Sequence, residues 1–391
     1  MTTLQIALRV LLLTSLVGCS TSVPEAGAPP SPLDRVAGDA VATGIPGVSI
    51  ALIEPDGSIT TGVAGVEDRA TRAATTEASL FHSGSTTKAV TAAAALILVD
   101  RRRLALDATL PDLLPADVIE GVPHSGRITV IQLLEHRSGL YSPNNDPKYL
   151  ARYIGPERSR LPFWVEPEIV AFAADPDNEP ANLPGEGQRY SDTNYVLLSL
   201  IVEAVAGEPF KAFVQREVFD RLGMPKTYFL SDRPDAARVR GYTMDSDIIR
   251  DIGLDPALEA DSEGYIDTTD AQEQSDGAAG IILTVADLGR FAYGATQTDL
   301  LSPASRQVFL GVADGIGDVG DGESLGVLRG YAFDYGRVVT SEGDGPGTNT
   351  LWAMELDSNR IVAVAINLFG RWDESDYLLN ELVPAALAIK R

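Results

Sequence analysis

Two stretches of strand character stand at opposite ends of the chain, with helix and loop patterns between them. Residues 48–54 form a short apolar run, Asp56-Gly57 supplies a tight-turn dipeptide, and residues 58–66 return as a partner strand. The apolar run at 361–367 lies near the C-terminus, followed by a helical stretch at 378–389. This order predicts an α/β (α+β) domain: one antiparallel sheet built from both chain ends, flanked by helices, with a mostly helical region inserted. The sheet portion is expected over residues 33–80 and 276–391, and the helical portion over 81–275.

The intervening sequence supports that division. Residues 33–43 read as a helix, broken by Gly44-Ile45-Pro46-Gly47. Residues 85–100 are small and aliphatic, suited to a helix packed closely inside the protein. Thr129 is placed to cap a helix over 129–135, and Gly207 to close one over 195–206. Thr284, with Asp287 three residues on, opens another in capping-box fashion. Residues 141–188, rich in Pro, Asn and Asp, read as loop, and 235–275 as acidic and irregular. No internal repeat is present.

Composition narrows the partners. A 391-residue chain that is 45% hydrophobic can bury a large core. Its net charge of -24 repels phosphate backbones, which argues against nucleic acid, and gives no polybasic grip on anionic lipid. Cys19 is the only cysteine, so no internal disulfide can form. With only His82, His124 and His136 beside it, a Cys/His zinc site is not expected, and no cofactor is implied.

Residues 4–17 are mostly apolar, interrupted by Gln5, Arg9 and Thr14-Ser15. The run is too short to span a bilayer and fits the core of a signal peptide. It ends in Leu16-Val17-Gly18-Cys19, which resembles a bacterial lipobox, whose cysteine is lipidated and becomes the new N-terminus. The expected organisation is a lipoprotein signal peptide at 1–19, a flexible tether at 20–32 and a folded domain at 33–391. The domain would then be exported to the bacterial cell envelope and held to a membrane by the lipid on Cys19. A plain secretory signal with an incidental cysteine is the alternative.

Ser85-Thr86-Thr87-Lys88 is the first constellation with chemical content. On a helix, positions i and i+3 share a face, so a hydroxyl and an amine can meet. Serine needs a base beside it to attack, and a lysine serves when burial favours its neutral form. Taken alone, the tetrad is equally an N-capping serine with an exposed lysine.

The surrounding segments are more specific. Phe81-His82-Ser83-Gly84-Ser85-Thr86-Thr87-Lys88, leading into an Ala-rich helix, resembles the active-site helix of the penicillin-recognising serine hydrolases: class C β-lactamases, DD-peptidases and related esterases. Leu133-Leu134-Glu135-His136-Arg137-Ser138-Gly139-Leu140, Pro184-Gly185 followed by Tyr190-Ser191-Asp192, and Ala278-Ala279-Gly280-Ile281 before Thr284 resemble further segments of that family in its order. The resemblance covers residues 44–367. It implies the β-lactamase/transpeptidase-like fold and an acyl-enzyme on Ser85, with Lys88 and Tyr190 moving protons. The backbone amides of Ser85 and Asp344 would form an oxyanion hole. The histidine matching His136 is structural in the family. The implied substrate is a small-molecule or peptide acyl compound; no oligomeric state follows.

Two departures bear on substrate choice. The family often has Tyr-x-Asn where this chain has Tyr190-Ser191-Asp192, and an ionised carboxylate cannot donate to a substrate carbonyl. The family's third motif, Lys-Thr-Gly or His-x-Gly, falls on Ser341-Glu342-Gly343, counting back from Pro346-Gly347. The cation that attracts a substrate carboxylate is missing there, and Glu342 and Asp344 add negative charge that favours protonated Lys88. Arg337 could supply a cation by folding back. Asp192, Ser341, Gly343 and Asp344 are therefore assigned to the substrate and oxyanion region. Ester or non-carboxylate amide hydrolysis is the leading expectation. A DD-peptidase or β-lactamase acting on cell-wall peptides or penicillins is the second, and a non-catalytic surface lipoprotein the third.

Overall fold

The computed structural model describes residues 29–153, 164–232, 237–244, 258–271, 275–311, 323–324, 328–345, 347–370 and 374–390. The expected signal peptide, Cys19 and most of the expected tether lie outside the described residues.

Strand β1 (Gly47–Ile53) is buried along its whole length, which explains its unbroken apolar sequence. It pairs antiparallel with β2 (Ile59–Asp68) through the Asp56-Gly57 turn, where Gly57 adopts φ +82. β3 (Ala73–Ala74) extends that edge. Short strands β4 (Phe81–His82), β5 (Thr227–Phe229) and β8 (Ile281–Leu283) form a small sheet, in the order β4-β8-β5. Another small sheet joins β6 (Tyr242–Thr243) and β7 (Ile266–Asp267) to β14 (Leu368–Phe369). The remaining strands are β9 (Glu323–Ser324), β10 (Arg329–Phe333), β11 (Gly336–Gly345), β12 (Thr348–Glu355) and β13 (Ile361–Ile366). They complete an eight-stranded sheet in the order β3-β2-β1-β13-β12-β11-β10-β9. β1 meets β13 antiparallel, Val48 opposite Ile366, so the two ends of the domain close the sheet at its centre.

Both faces of this sheet are covered, and successive side chains of β1 enter different cores. Val48, Ile50 and Leu52 join Val362 and Val364 beneath helix α1 (Pro32–Ala42). Ala51 and Ile53 join Ala363, Trp352 and the helical region on the other face. At the centre of that region runs α2 (Thr87–Asp100), buried from Thr87 to Leu98. A helix covered all round must be apolar all round, and its four consecutive alanines, Ala92 to Ala95, let neighbours approach closely.

Helix α3 (Val130–Leu134) starts at a capping box between Thr129 and Gln132. Residues 141–188, expected as loop, contain α4 (Pro147–Tyr153) and α5 (Glu166–Ala174). α5 buries Ile169, Val170 and Ala173 and has its proline in the first turn, where a missing N–H costs nothing. Tertiary burial, rather than local pattern, makes that segment helical. Helix α6 (Asp192–Ala206) ends at Gly207 with φ +73, and α7 (Val285–Gln297) starts at Thr284, whose hydroxyl accepts from the Asp287 amide. The expected C-terminal helix is present as helical turns over Leu378–Leu382 running into α8 (Val383–Leu387).

β10 to β12 were not legible as strands. β12 is buried throughout yet carries Thr348, Asn349, Thr350 and Glu355, which break any apolar run. Their polar atoms are absorbed by tertiary hydrogen bonds: Thr350 Oγ1 donates to Ser83 O at 2.7 Å, and the Asp357 amide donates to Glu355 at 2.9 Å.

Candidate active site

Ser85 sits in a single 3-10 turn, Gly84–Thr86, that leads directly into α2. The turn is held by hydroxyls: Thr86 and Thr350 both donate to Ser83 O at 2.7 Å, and Ser83 and Thr87 share a hydrogen bond at 2.8 Å. Gly84 has φ +51, and a Cβ there would lie 2.4 Å from Asp344 O and 2.9 Å from Asp344 N. On the facing strand, a Cβ on Gly343 would lie 2.0 Å from Ser83 O and 3.0 Å from Ser85 N. Two glycines thus let β11 press against the helix entrance. This close approach brings the backbone of Asp344 next to that of Ser85.

Two side chains meet at the Ser85 hydroxyl. Lys88 Nζ donates to Ser85 Oγ at 3.0 Å, and Tyr190 OH lies 2.7 Å from Ser85 Oγ. Lys88 also donates to Ala278 O at 3.0 Å, through the segment that precedes β8. This is the nucleophile-beside-base arrangement of covalent catalysis. Ser85, Lys88 and Tyr190 are brought together as their sequence motifs imply.

Asp192, assigned to the substrate and oxyanion region, is placed against Lys88. Its side chain is 2% exposed; it forms an ion pair with Lys88 at 2.7 Å and accepts a hydrogen bond from Asn144. The reason is local: α6 begins at this residue, after Ser191, and its first turn directs the carboxylate inward onto α2. Asp192 is thus positioned to act on Lys88 rather than on a substrate carbonyl.

His136 supports the tyrosine segment. Its ring packs against Tyr190 with centroids 4.5 Å apart, and its Nδ1 accepts from the Ser191 amide at 3.2 Å. That acceptor role places the proton on Nε2 of a neutral ring. Burial, reinforced by the charge of Lys88, pushes the His136 pKa down to about 3, so the ring stays neutral. Tyr190 is pushed the other way, upward, by burial and then by Asp192, with Lys88 opposing. Tyr190 is 46% exposed, so burial weighs on it less than on the fully covered Tyr195; the adjoining carboxylate supplies a second cause in the same direction.

The β11 residues are arranged around the missing cation. Ser341 is buried and pairs in register with Trp352, while Asp344 is exposed and accepts from Asn349. Glu342 accepts from Tyr331 OH at 3.0 Å and is paired with Arg329 at 3.4 Å. Arg337 does not fold back: it stands at the other end of β11, paired with Asp357. Extended strand geometry carries it away from Ser341. The cation near the site is Arg329, opposite Thr340 on β10 and half exposed, whose charge is felt by both Tyr190 and His136. Sequence reasoning missed Arg329 and Asn144, because neither belongs to a motif and both reach the site only through tertiary packing. Among the described residues, no cluster of three or more His, Cys, Asp or Glu side chains could hold a metal ion.

Comparisons with known proteins agree with this fold. The family model described as Beta-lactamase matches residues 33–383. The chain is 27% identical over 307 residues to Penicillin-binding protein 4* of Bacillus subtilis, covering 76% of this chain and 62% of that protein. It is 33% identical over 183 residues to Esterase EstB of Burkholderia gladioli, covering 44% of each. The chain thus spans less than two thirds of the length of these curated relatives. Among solved structures, D-amino acid amidase from Ochrobactrum anthropi SV3 shares the fold, with TM-score 0.75 and 23% identity over 91% of this chain and 97% of that one. A family match running from α1 to α8 makes the chain a member of the β-lactamase family, of the serine-hydrolase type that includes penicillin-binding proteins.

Proposed function

We propose that the protein is an exported serine acyl hydrolase that works through an acyl-enzyme on Ser85, acting on ester or amide substrates. The observation that carries this reading is the continuous contact from Lys88 Nζ to Ser85 Oγ to Tyr190 OH, and the close approach of the Asp344 backbone to that of Ser85 supports assigning their two amides as oxyanion donors. Ser85 Oγ attacks the acyl carbon while its proton leaves along this chain of donors and acceptors. The negative charge that develops on the carbonyl oxygen falls between the two amides, an interaction strongest in the transition state. Tyr190, reaching from the half-open side of the cleft, then protonates the leaving group. Water repeats the sequence in reverse to free Ser85. Cys19 is proposed as the lipid-bearing residue that anchors the enzyme in the bacterial envelope, on the strength of its lipobox-like setting.

A DD-peptidase or β-lactamase activity is the second reading. Arg329 favours it, since a guanidinium beside the cleft could attract a substrate carboxylate, although Glu342 already offsets its charge. The test of the main proposal is labelling of residues 20–391 by a fluorophosphonate, read by intact mass against Ser85→Ala. One adduct on the wild type and none on the variant is expected. An unlabelled, folded wild type would overturn the proposal in favour of a non-catalytic surface protein.

A further inference from the structure

We infer that Asp192 is a positioning residue of the proton relay: it holds Lys88 as an ammonium in the resting enzyme and takes a proton from it when Ser85 attacks. This rests on the acyl-hydrolase reading and goes beyond it, because the Tyr-x-Asn form frequent in the family has an amide at this place, with no charge to exchange.

The geometry is that of a buried ion pair. The two side chains are 4% and 2% exposed, and Nζ to Oδ1 is 2.7 Å. Lys88 Nζ donates to Ser85 Oγ and Ala278 O, and Asp192 Oδ1 stands against it as the counter-ion. The other groups around Lys88 do not replace this counter-ion. Tyr190 lies over it from the segment before α6, its ring centroid 5.0 Å from Nζ, and Tyr195 is a buried phenol on α6 itself. His136, after α3, is neutral because its Nδ1 accepts from a backbone amide. Arg329 reaches Tyr190 from β10 but is paired with Glu342. Asp192 therefore supplies the negative charge that faces Lys88 directly. Asn144 keeps the carboxylate turned toward it by donating to the other oxygen, Oδ2.

An ammonium has no lone pair for the Ser85 proton. Passing one Nζ proton to Asp192 Oδ1 leaves a neutral pair and a free lone pair on Lys88. The Ser85 proton then moves to Nζ as the Oγ–acyl bond forms and the carbonyl π electrons move to oxygen. On collapse the leaving group departs with the Tyr190 hydroxyl proton. Tyr190 takes a proton from Lys88, and Asp192 returns its own. The cycle ends with the resting charges restored and no proton gained or lost.

The bland account is that Asp192 only favours the N-terminus of α6, as acidic residues do. The two accounts differ in pH dependence. The experiment measures the second-order rate of fluorophosphonate labelling across pH for wild type and Asp192→Asn. In the wild type the ion pair is itself competent, and its acid limb is protonation of the paired carboxylate; without Asp192, Lys88 must first lose its proton to solvent, so the acid limb of the variant is expected to move up by about one pH unit or more. Coincident limbs would overturn the inference while leaving the hydrolase reading intact. No labelling of the wild type at any pH would overturn both. Should Asp192→Asn fail to fold, Lys88→Met and Lys88→Met/Asp192→Asn decide by thermal unfolding. Adding the second change is expected to raise the melting temperature, because it removes a buried, uncompensated carboxylate. No gain would overturn the pairing.

Discussion

Gly343→Ala puts the architecture of the site under direct strain. The added methyl would lie 2.0 Å from Ser83 O, 2.6 Å from Thr86 N and 3.0 Å from Ser85 N, all of them backbone atoms. A carbon needs about 3.3–3.6 Å from a carbonyl oxygen, so β11 and the Gly84–Thr86 turn must separate by roughly 1 Å or more. Neither side yields readily: the turn is tied by Thr86 and Thr350, and β11 is laddered to β12 from Val338 to Gly345. The forced gap opens between the Ser85 and Asp344 amides. Losing one oxyanion donor costs on the order of 10²–10³-fold in rate. Overpacking of this kind costs about 1–3 kcal/mol of stability. The assay is the fluorophosphonate labelling rate together with thermal unfolding. Labelling at the wild-type rate with an unchanged melting temperature would refute both the close approach and the oxyanion assignment.

Tyr190→Phe keeps the ring against His136 but removes the hydroxyl at 2.7 Å from Ser85. Ester hydrolysis should fall about 10²–10⁴-fold, with folding unaffected; turnover within threefold of wild type would remove Tyr190 from the relay. His136 and His82 are pushed down to about 3 and about 4, each by burial first, so folding favours their neutral forms. Their contribution is complete above the unfolded value of 6.5 and is lost as pH falls toward those values, which melting temperatures read below pH 6.5 should register. Glu166 runs the other way: burial and Asp276 push it up to about 7, so the fold loses stability as pH rises from 4.5 to about 7. Glu166→Gln should flatten that limb, and parallel pH curves for variant and wild type would contradict the assignment. Penicillins should be hydrolysed poorly by the purified protein, since Ser341 stands where the family cation would be and Glu342 offsets Arg329; rapid hydrolysis would show that a carboxylate is well received despite this pairing.

Local signals in the chain were enough for the frame of the fold. A fully buried strand has to be apolar throughout, which made β1 and β13 readable, and capping residues such as Thr129, Thr284 and Gly207 mark helix ends by chemistry that acts within one turn. The motifs around Ser85, Lys88 and Tyr190 were readable for a similar reason: reacting groups need particular atoms, whatever surrounds them. Polar residues inside β12 and helices within a Pro-rich segment were hidden, because burial and tertiary hydrogen bonds decide those elements.

The sequence alone therefore determined the sheet-from-both-ends architecture and singled out Ser85, Lys88 and Tyr190 as the candidate nucleophile and its two partners. Only the tertiary structure decided where charge lies around them. Asp192 turns inward onto Lys88, Glu342 is met by Arg329 from the next strand, and Arg337 remains far along β11. Spacing along a chain specifies which residues share a helix turn or a strand face. It carries no information about which charges from distant segments come within a few ångströms, and at that range Coulomb interaction in a buried site sets the proton affinities on which the chemistry depends.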